Sequence, residues 1–235
     1  MYDPDRARGV KFEGNKVDWN EYLKFAKSLN DGNGKGLAVL MQESSSPTIK
    51  SIQEDFKKNL PNADWVVYES VNNENLYDGI ELAFSKRLQP LYRLEKAQII
   101  VSLGSDFLGV DDNNIYHTRK FAQNRNIVDE NSTMNRLYVA ESSISSTGSS
   151  ADHRLNVPQY EMENLLAELA YELKQLGLRI EAKKVKSSNN LWVKAAAKDL
   201  FDGRGESIII GGSSLSKEFH QLIALINYNL KAPVD

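Results

Sequence analysis

The stretch Gln98-Ile-Ile-Val-Ser-Leu-Gly-Ser-Asp-Phe-Leu-Gly109 decides the fold. An apolar run enters a loop of Gly, Ser and Asp, and a polar stretch with helical spacing follows. The pattern returns at Leu137-Tyr-Val-Ala-Glu-Ser-Ser143, which runs into a Ser-rich loop and then Ala151-Asp-His-Arg-Leu-Asn-Val-Pro158. Short apolar runs that end in turn residues and alternate with helical patterns are the grammar of strand–loop–helix units in a parallel sheet. In such sheets ligands gather at the loops beyond the carboxyl ends of the strands.

The same grammar extends to both sides. Toward the amino terminus, 37–41 reads as a buried strand and 65–68 as another. Asp18 caps a helix over 19–29, in which Trp19, Tyr22, Leu23 and Ala26 recur at helical spacing. Ser46 before Pro47 starts a second helix, because Pro at the first helical position gives up no bond. Ile49, Ile52, Phe56 and Leu60 form its apolar face. Helices follow over 76–88 and 113–126, and residues 1–16 read as irregular. A longer helix over 160–176 stops at Gly177, and the lysine-rich stretch 183–190 reads as a linker. Helix 191–201, strand 207–210 and helix 216–229 complete the pattern, without hairpin signals. The fold class is α/β, with parallel-sheet, Rossmann-like lobes and helices on both faces.

Composition removes several functions. The 235 residues are 41% hydrophobic and 26% charged, with a net charge of −3, which leaves no basic footprint for nucleic acid. No apolar run approaches the roughly 18 residues of a bilayer span, so direct membrane insertion is not expected, and no signal-peptide pattern opens the chain. The absence of cysteine removes disulfides, thiolate metal ligands, thiolate-held iron–sulfur clusters and a cysteine nucleophile. His117, His153 and His220 lie far apart in sequence, form no spaced ligand pair, and are expected on the surface or behind a site. Polar turn chemistry at the start and an end just after a helix read as a piece cut from a longer protein.

Three loops are candidates for binding. Gly104-Ser105-Asp106 follows the 98–103 strand, and its glycine lets backbone N–H groups approach a ligand. Asp106 stands where a dinucleotide fingerprint would have its middle Gly, so the loop is either a ribose- or guanine-binding turn or a plain Asp/Gly turn. Glu141-Ser142-Ser143 opens a hydroxyl-rich segment through Ser150, which is either a cradle for a polar ligand or a surface loop. Gly211-Gly212-Ser213 precedes the last helix, where free N–H groups and the helix dipole favour an anion, unless Ser214 or Ser216 simply caps it. Asp152 is a further carboxylate near Glu141 in this reading. No catalytic constellation is visible, and no metal ligand set.

The order of these segments resembles the molybdopterin oxidoreductases, the DMSO reductase and formate dehydrogenase superfamily. Lys96-Ala-Gln-Ile-Ile-Val-Ser-Leu-Gly-Ser105 is similar to that family's strand ending in Gly-Ser, and Ala151-Asp-His-Arg-Leu155 to its Ala-Asp-x-x-Leu segment. Tyr2-Asp-Pro-Asp-Arg6 and the Trp19 helix resemble the entry into its second domain, and Glu206–Gly212 the return to it. Where the family has Asp-Pro-Arg this chain has Glu141-Ser142-Ser143, so the arginine for a pterin phosphate is missing. Glu43–Thr48 offers no cysteine to molybdenum.

With these departures the chain is most similar to the molybdopterin-like half of the iron–sulfur subunit of bacterial alternative complex III. That resemblance implies domains II and III of a molybdopterin-oxidoreductase-like protein: a discontinuous lobe, 1–85 plus 186–235, with 86–185 inserted. It implies a scaffold region of a respiratory quinol-oxidising electron-transport complex on the periplasmic side of the bacterial inner membrane. The partners would be the rest of the parent subunit, with its ferredoxin-like cluster domain, and other subunits of the membrane complex. No cofactor is expected in this chain; molybdopterin stays open by family, and iron–sulfur clusters belong to the missing part. Two alternatives stand beside it: a pterin-binding (molybdopterin guanine dinucleotide) region of an active oxidoreductase, and a non-redox small-molecule-binding α/β domain.

Overall fold

The computed structural model describes residues 3–29, 32–130, 132–184 and 190–235. The chain divides into two units, Met1–Ser70 and Val71–Asp235. Tyr2 and residues 185–189 of the expected linker lie outside the described residues.

Met1–Ser70 opens with a hairpin, β1 (Lys11–Phe12) and β2 (Asn15–Lys16). Its turn residues Glu13 and Gly14 have φ of 48° and 83°, the pair of positive values that suits the twist of a tight hairpin. The expectation of an irregular segment is corrected here; Glu occupies a position where Asn or Asp would have been the signal. Helix α1 (Trp19–Ser28) is capped by Asp18, whose carboxylate accepts from the Glu21 N–H at 3.0 Å. Strand β3 (Ala38–Met41), helix α2 (Pro47–Asn59) and strand β4 (Asp64–Val67) form one βαβ unit, with β3 and β4 parallel. Phe56 meets Trp65 edge-on at 5.2 Å, which seats α2 on one face of the pair. Neither α1 nor α2 contains a buried residue, and Leu40 in β3 is 70% exposed. The strand expected to be buried at 37–41 is therefore largely exposed. A parallel pair needs cover on both faces to bury its strands, and an apolar run cannot announce how many neighbours it will have.

Val71–Asp235 holds the core. In order it contains α3 (Glu74–Phe84), β5 (Ile99–Leu103), α4 (Asn114–Gln123), β6 (Arg136–Glu141), the short α5 (Ser146–Ser149), β7 (His153–Asn156), α6 (Met162–Gln175), α7 (Leu191–Asp202), β8 (Ser207–Gly211) and α8 (Lys217–Leu230). The four strands form one parallel sheet in the order β7-β6-β5-β8. Alternation divides it into two cores. Ile100, Leu137, Val139, Ile208 and Ile210 pack with Phe107 and Phe121 on the α4 side. Val101, Leu103, Tyr138, Ala140 and Ile209 pack with Leu166, Leu169, Leu200, Phe219 and Ile226 of α6, α7 and α8 on the other. The α/β, Rossmann-like class with helices on both faces is what the structure shows.

Side chains cover part of each edge of this sheet. On β8, Asn227 of α8 accepts from the Ile209 N–H at 2.9 Å and donates to the Ile209 carbonyl at 2.8 Å, as a neighbouring strand would. On β7, the Trp192 indole donates to the His153 carbonyl at 3.0 Å. Backbone groups satisfied in this way are not free to pair with a foreign strand.

Two readings of the chain change here. Strand β7 was not expected, because His153-Arg154-Leu155-Asn156 lacks an apolar run; it is an edge strand, half exposed, and needs none. The division into 1–85 plus 186–235 around an inserted 86–185 is not the one observed. Strand β8 pairs directly with β5, Ile99 opposite Ser207 through Leu103 opposite Gly211, so both expected lobes contribute to one sheet. A lysine-rich stretch identifies a surface segment, but not where the chain goes afterwards. No helix among the described residues is long and apolar enough to cross a membrane.

Candidate functional site

The chain passes from β5 to β6 on one side and places β8 on the other side of β5. Loops therefore diverge at the carboxyl ends of β5 and β8, the switch point where sheets of this kind open a crevice. Gly104 leaves β5 at φ 67°. Gly212 lies against it so closely that a Cβ there would stand 2.0 Å from the Gly104 carbonyl oxygen. The two loops thus meet backbone to backbone.

The polar groups around this junction are turned toward one another. The Asp106 carboxylate accepts from the Thr147 N–H and hydroxyl, both at 2.8 Å. The Ser105 hydroxyl donates to Asp111 at 2.6 Å, and burial pushes the Asp111 carboxyl up despite that bond. Glu141 is buried, accepts from the Ser145 hydroxyl at 2.6 Å, and pairs with Arg154 at 2.6 Å. Ser216 caps α8 through the Phe219 N–H and donates to Glu163 at 2.7 Å. The loops 104–106, 141–143 and 211–213 are brought to one end of the sheet, and their carboxylates serve as braces. Ser142 and Ser143 are exposed and Ser213 is half-buried. Gly211 supports the α8 packing, since a Cβ there would come within 2.8 Å of Ile223.

Asp152 does not join them. It accepts from the Leu137 N–H at 2.7 Å and pairs with Arg125 at 2.6 Å, at the amino end of β6. Burial pulls its carboxyl upward, but Arg125 and the Leu137 N–H outweigh that and hold it below the usual carboxylate range. Glu141 ends the same strand, more than ~10 Å away at the rise of an extended chain.

Sequence reasoning missed a cavity of about 510 Å³ beside the edge of β8. Its walls are Leu76, Ile80 and Phe84 of α3, His220, Ile223 and Tyr228 of α8, and the flanking 88–92 and 231–235 segments. Those two segments are tied as an antiparallel ribbon through Tyr92 and Val234, with Leu91 and Asp235 exchanging backbone bonds. Gly79 lets α3 and α8 touch: a Cβ there would be 2.5 Å from the Lys217 carbonyl oxygen. His220 is 1% exposed, and neither ring nitrogen has a hydrogen-bond partner. Burial lowers its pKa to about 4; the backbone of Gly212 opposes this weakly, from outside hydrogen-bonding geometry. His117, buried among Tyr92, Phe107 and Tyr116, is unpartnered too. Two of the three histidines are therefore core residues rather than surface ones. The signals present in the sequence were a histidine on the apolar face of 216–229 and a glycine inside helix 76–88.

No family model matches the sequence, and no curated protein shows significant similarity to it. Among solved structures, the chain is similar to a chain of the formyltransferase/hydrolase complex from Methylorubrum extorquens, determined in complex with methylofuran. The TM-score is 0.56 at 12% identity, covering 93% of this chain and 56% of that one. The chain thus spans little more than half the length of that neighbour. These findings overturn the molybdopterin-oxidoreductase resemblance, and with it alternative complex III, electron transport and the iron–sulfur subunit. The segments that carried it are explained by the parallel sheet itself. Lys96–Ser105 is β5 with its turn, and Ala151–Leu155 is the entry to edge strand β7, where Asp152 holds β6. In this chain both segments have a local structural use.

Proposed function

We infer that this chain is a non-redox small-molecule-binding α/β domain that works beside partner subunits. The cavity between α3 and α8 carries this reading. At about 510 Å³, with mostly apolar walls and a few polar groups, it has the size and lining of small-molecule sites. The carboxyl-end loops support it less, because Asp106, Glu141 and Ser216 are taken up by Thr147, Ser145 and Glu163. The similar solved structure is a complex of formyltransferase and hydrolase with a small molecule bound, which favours a ligand and companion subunits for this chain too. In this reading the chain itself holds no metal or iron–sulfur centre, in keeping with a sequence free of cysteine.

Native mass spectrometry with naphthalene as probe tests the cavity. A single adduct is expected on the natural chain and none on Ala224→Trp, since Ala224 of α8 lines the cavity and the larger side chain would fill it. An adduct that survives in a folded Ala224→Trp protein would sink the reading. For the partners, tagged protein recovered from its own host is expected to bring stoichiometric companions, and recovery as a lone chain counts against them.

A further inference from the structure

We propose that a second pocket, formed where α6, α7 and α8 end, binds the phosphate group of a small soluble molecule through Arg179, Arg204 and Lys231. The inference goes beyond the ligand-binding reading of the α3–α8 cavity and does not depend on it.

The pocket measures about 560 Å³, and the three cations line it together with Leu178, Phe201 and Tyr228. No Asp or Glu lines it among the described residues. Each cation stands just past the carboxyl end of a helix. After α6, Gly177 at φ 107° turns the chain, Leu178 enters the core, and Arg179 emerges exposed. After α7, the turn that carries Arg204 is tied to α8, because the Gly205 N–H donates to the Leu230 carbonyl at 2.8 Å. Lys231 ends α8 at φ 55°, a conformation that favours Gly or Asn.

Helix dipoles alone attract cations to such ends, but they account for only part of the charge. Each carboxyl end is equivalent to roughly half a negative charge, so three ends leave about half of the positive charge unanswered. Carboxylates do not answer it either. Arg87, Arg93, Arg125, Arg136 and Arg154 each pair with Asp or Glu. Arg179, Arg204 and Lys231 make no ion pair and no side-chain hydrogen bond among the described residues.

Arg204 is also held in place. Its guanidinium carbon lies 3.7 Å from the centre of the Phe201 ring, a stacking that fixes the plane and leaves the N–H edge open. A planar fork beside two further cations suits a phosphate dianion, which accepts several charge-assisted bonds at once. A carboxylate, with one charge and two oxygens, answers less of the surplus. An extended anionic surface would meet the rest of a chain whose net charge is −3, and is repelled beyond the short range of three cations.

Calorimetric titration of the full chain with phenyl phosphate and with benzoate, one ring carrying two different anions, tests this. Phenyl phosphate should bind about tenfold more tightly, and Arg204→Ala should remove most of that preference. Arg204→Lys keeps the charge without the fork and should fall between the two. Arg119→Ala removes an exposed arginine from α4 and should change nothing. In the natural chain, phenyl phosphate should shift the amide resonances of 177–179 and 229–231, and leave those of 213–217 at the amino end of α8 in place. Equal affinity for the two probes, equal losses in Arg119→Ala and Arg204→Ala, or shifts confined to 213–217 overturn the proposal. So does a chain that sediments with phosphatidate vesicles and ignores phenyl phosphate, which would point to a membrane surface. Naphthalene does not probe this pocket, so failure of the α3–α8 cavity leaves it standing.

Discussion

Met1–Ser70 and Val71–Asp235 are written in the same sequence grammar and have opposite interiors. Both contain a short apolar strand, a Ser-rich loop and an amphipathic helix leading to a parallel neighbour. In the second unit this yields Ile100, Leu137, Val139 and Ile209 with no exposed surface. In the first it yields β3 and β4, with Leu40 at 70% and Val66 at 46% exposure. The difference lies in strand count and cover. A four-stranded parallel sheet has two inner strands and helices against both faces, whereas a pair has only edges. Periodicity reports which residues share a face, and the number of layers on that face is a property of the whole fold.

The largest test of this contrast is a pair of truncations. Leu169, fully buried on α6, should cost about 2–5 kcal/mol as Leu169→Ala, the range for a core cavity that collapses only in part. Leu40→Ala should change stability by less than about 0.5 kcal/mol, as for exposed sites. Urea unfolding followed by circular dichroism would decide it. Comparable losses at both positions would mean that Leu40 in β3 is as buried as Leu169 in α6.

Acid provides the next test, because the unpartnered histidines lie in the second unit. The folded pKa of His220 is depressed to about 4, below the unfolded value of about 6.5. Between these values the unfolded chain binds the extra proton, so stability falls as pH drops from about 6.5 toward 4 and is full above that window. Between pH 7 and 4.5 this should amount to between about 2 and 3 kcal/mol. His220→Phe should lose that much less over the same interval. If the two proteins lose stability in parallel, the imidazole is not held neutral by burial.

Asn227 tests the sheet edge. Asn227→Leu leaves the N–H and C=O of Ile209 without their partners beneath α8. Two unmet backbone groups should together cost about 2 kcal/mol, given their partial access to solvent on relaxation. Amide exchange at Ile209 should accelerate more than at Val101, an inner position of β5. Unchanged exchange at Ile209 would show that the side chain is decoration.

Much of the architecture was legible because caps and punctuation are local chemistry. Asp18, Ser46 before Pro47, Gly177 and Ser216 each mark a helix end that the structure shows, since the groups they satisfy are within a turn of them. The loops at 104–106, 141–143 and 211–213 were likewise placed together by the rule for parallel sheets. The use made of their side chains was not legible. Asp106 reaches Thr147 and Ser216 reaches Glu163, partners set by strand order rather than by spacing. The cavity was hidden for the same reason: α3 and α8 are far apart in the chain, and contacts such as Gly79 against Lys217 and Phe84 against Tyr228 bring them together. Loose motifs failed differently. Ala151-Asp152 and Gly104-Ser105 suggested one enzyme family although their residues serve a strand entry and a strand exit here.

The smallest expected effect separates the units most cleanly, since it uses the same device in each. Ser216 caps α8 and Asp18 caps α1, both through a side-chain oxygen that accepts from the third residue onward. Replacing such a cap with Ala typically costs about 1 kcal/mol. For Ser216→Ala that loss should appear in full in the global urea midpoint, because α8 is bound to the core through Phe219, Ile223 and Ile226. The bond to Glu163 on α6 is lost with it. For Asp18→Ala the midpoint of the core should stay within about 0.3 kcal/mol, a shift typical of a locally fraying segment. The change should instead appear as faster exchange of the amides at 19–23, because α1 buries no residue that would couple its first turn to the rest. A global shift for Asp18→Ala as large as that for Ser216→Ala would show that both units unfold as one cooperative body, and exposure would then be a poor guide to how the two regions are stabilised.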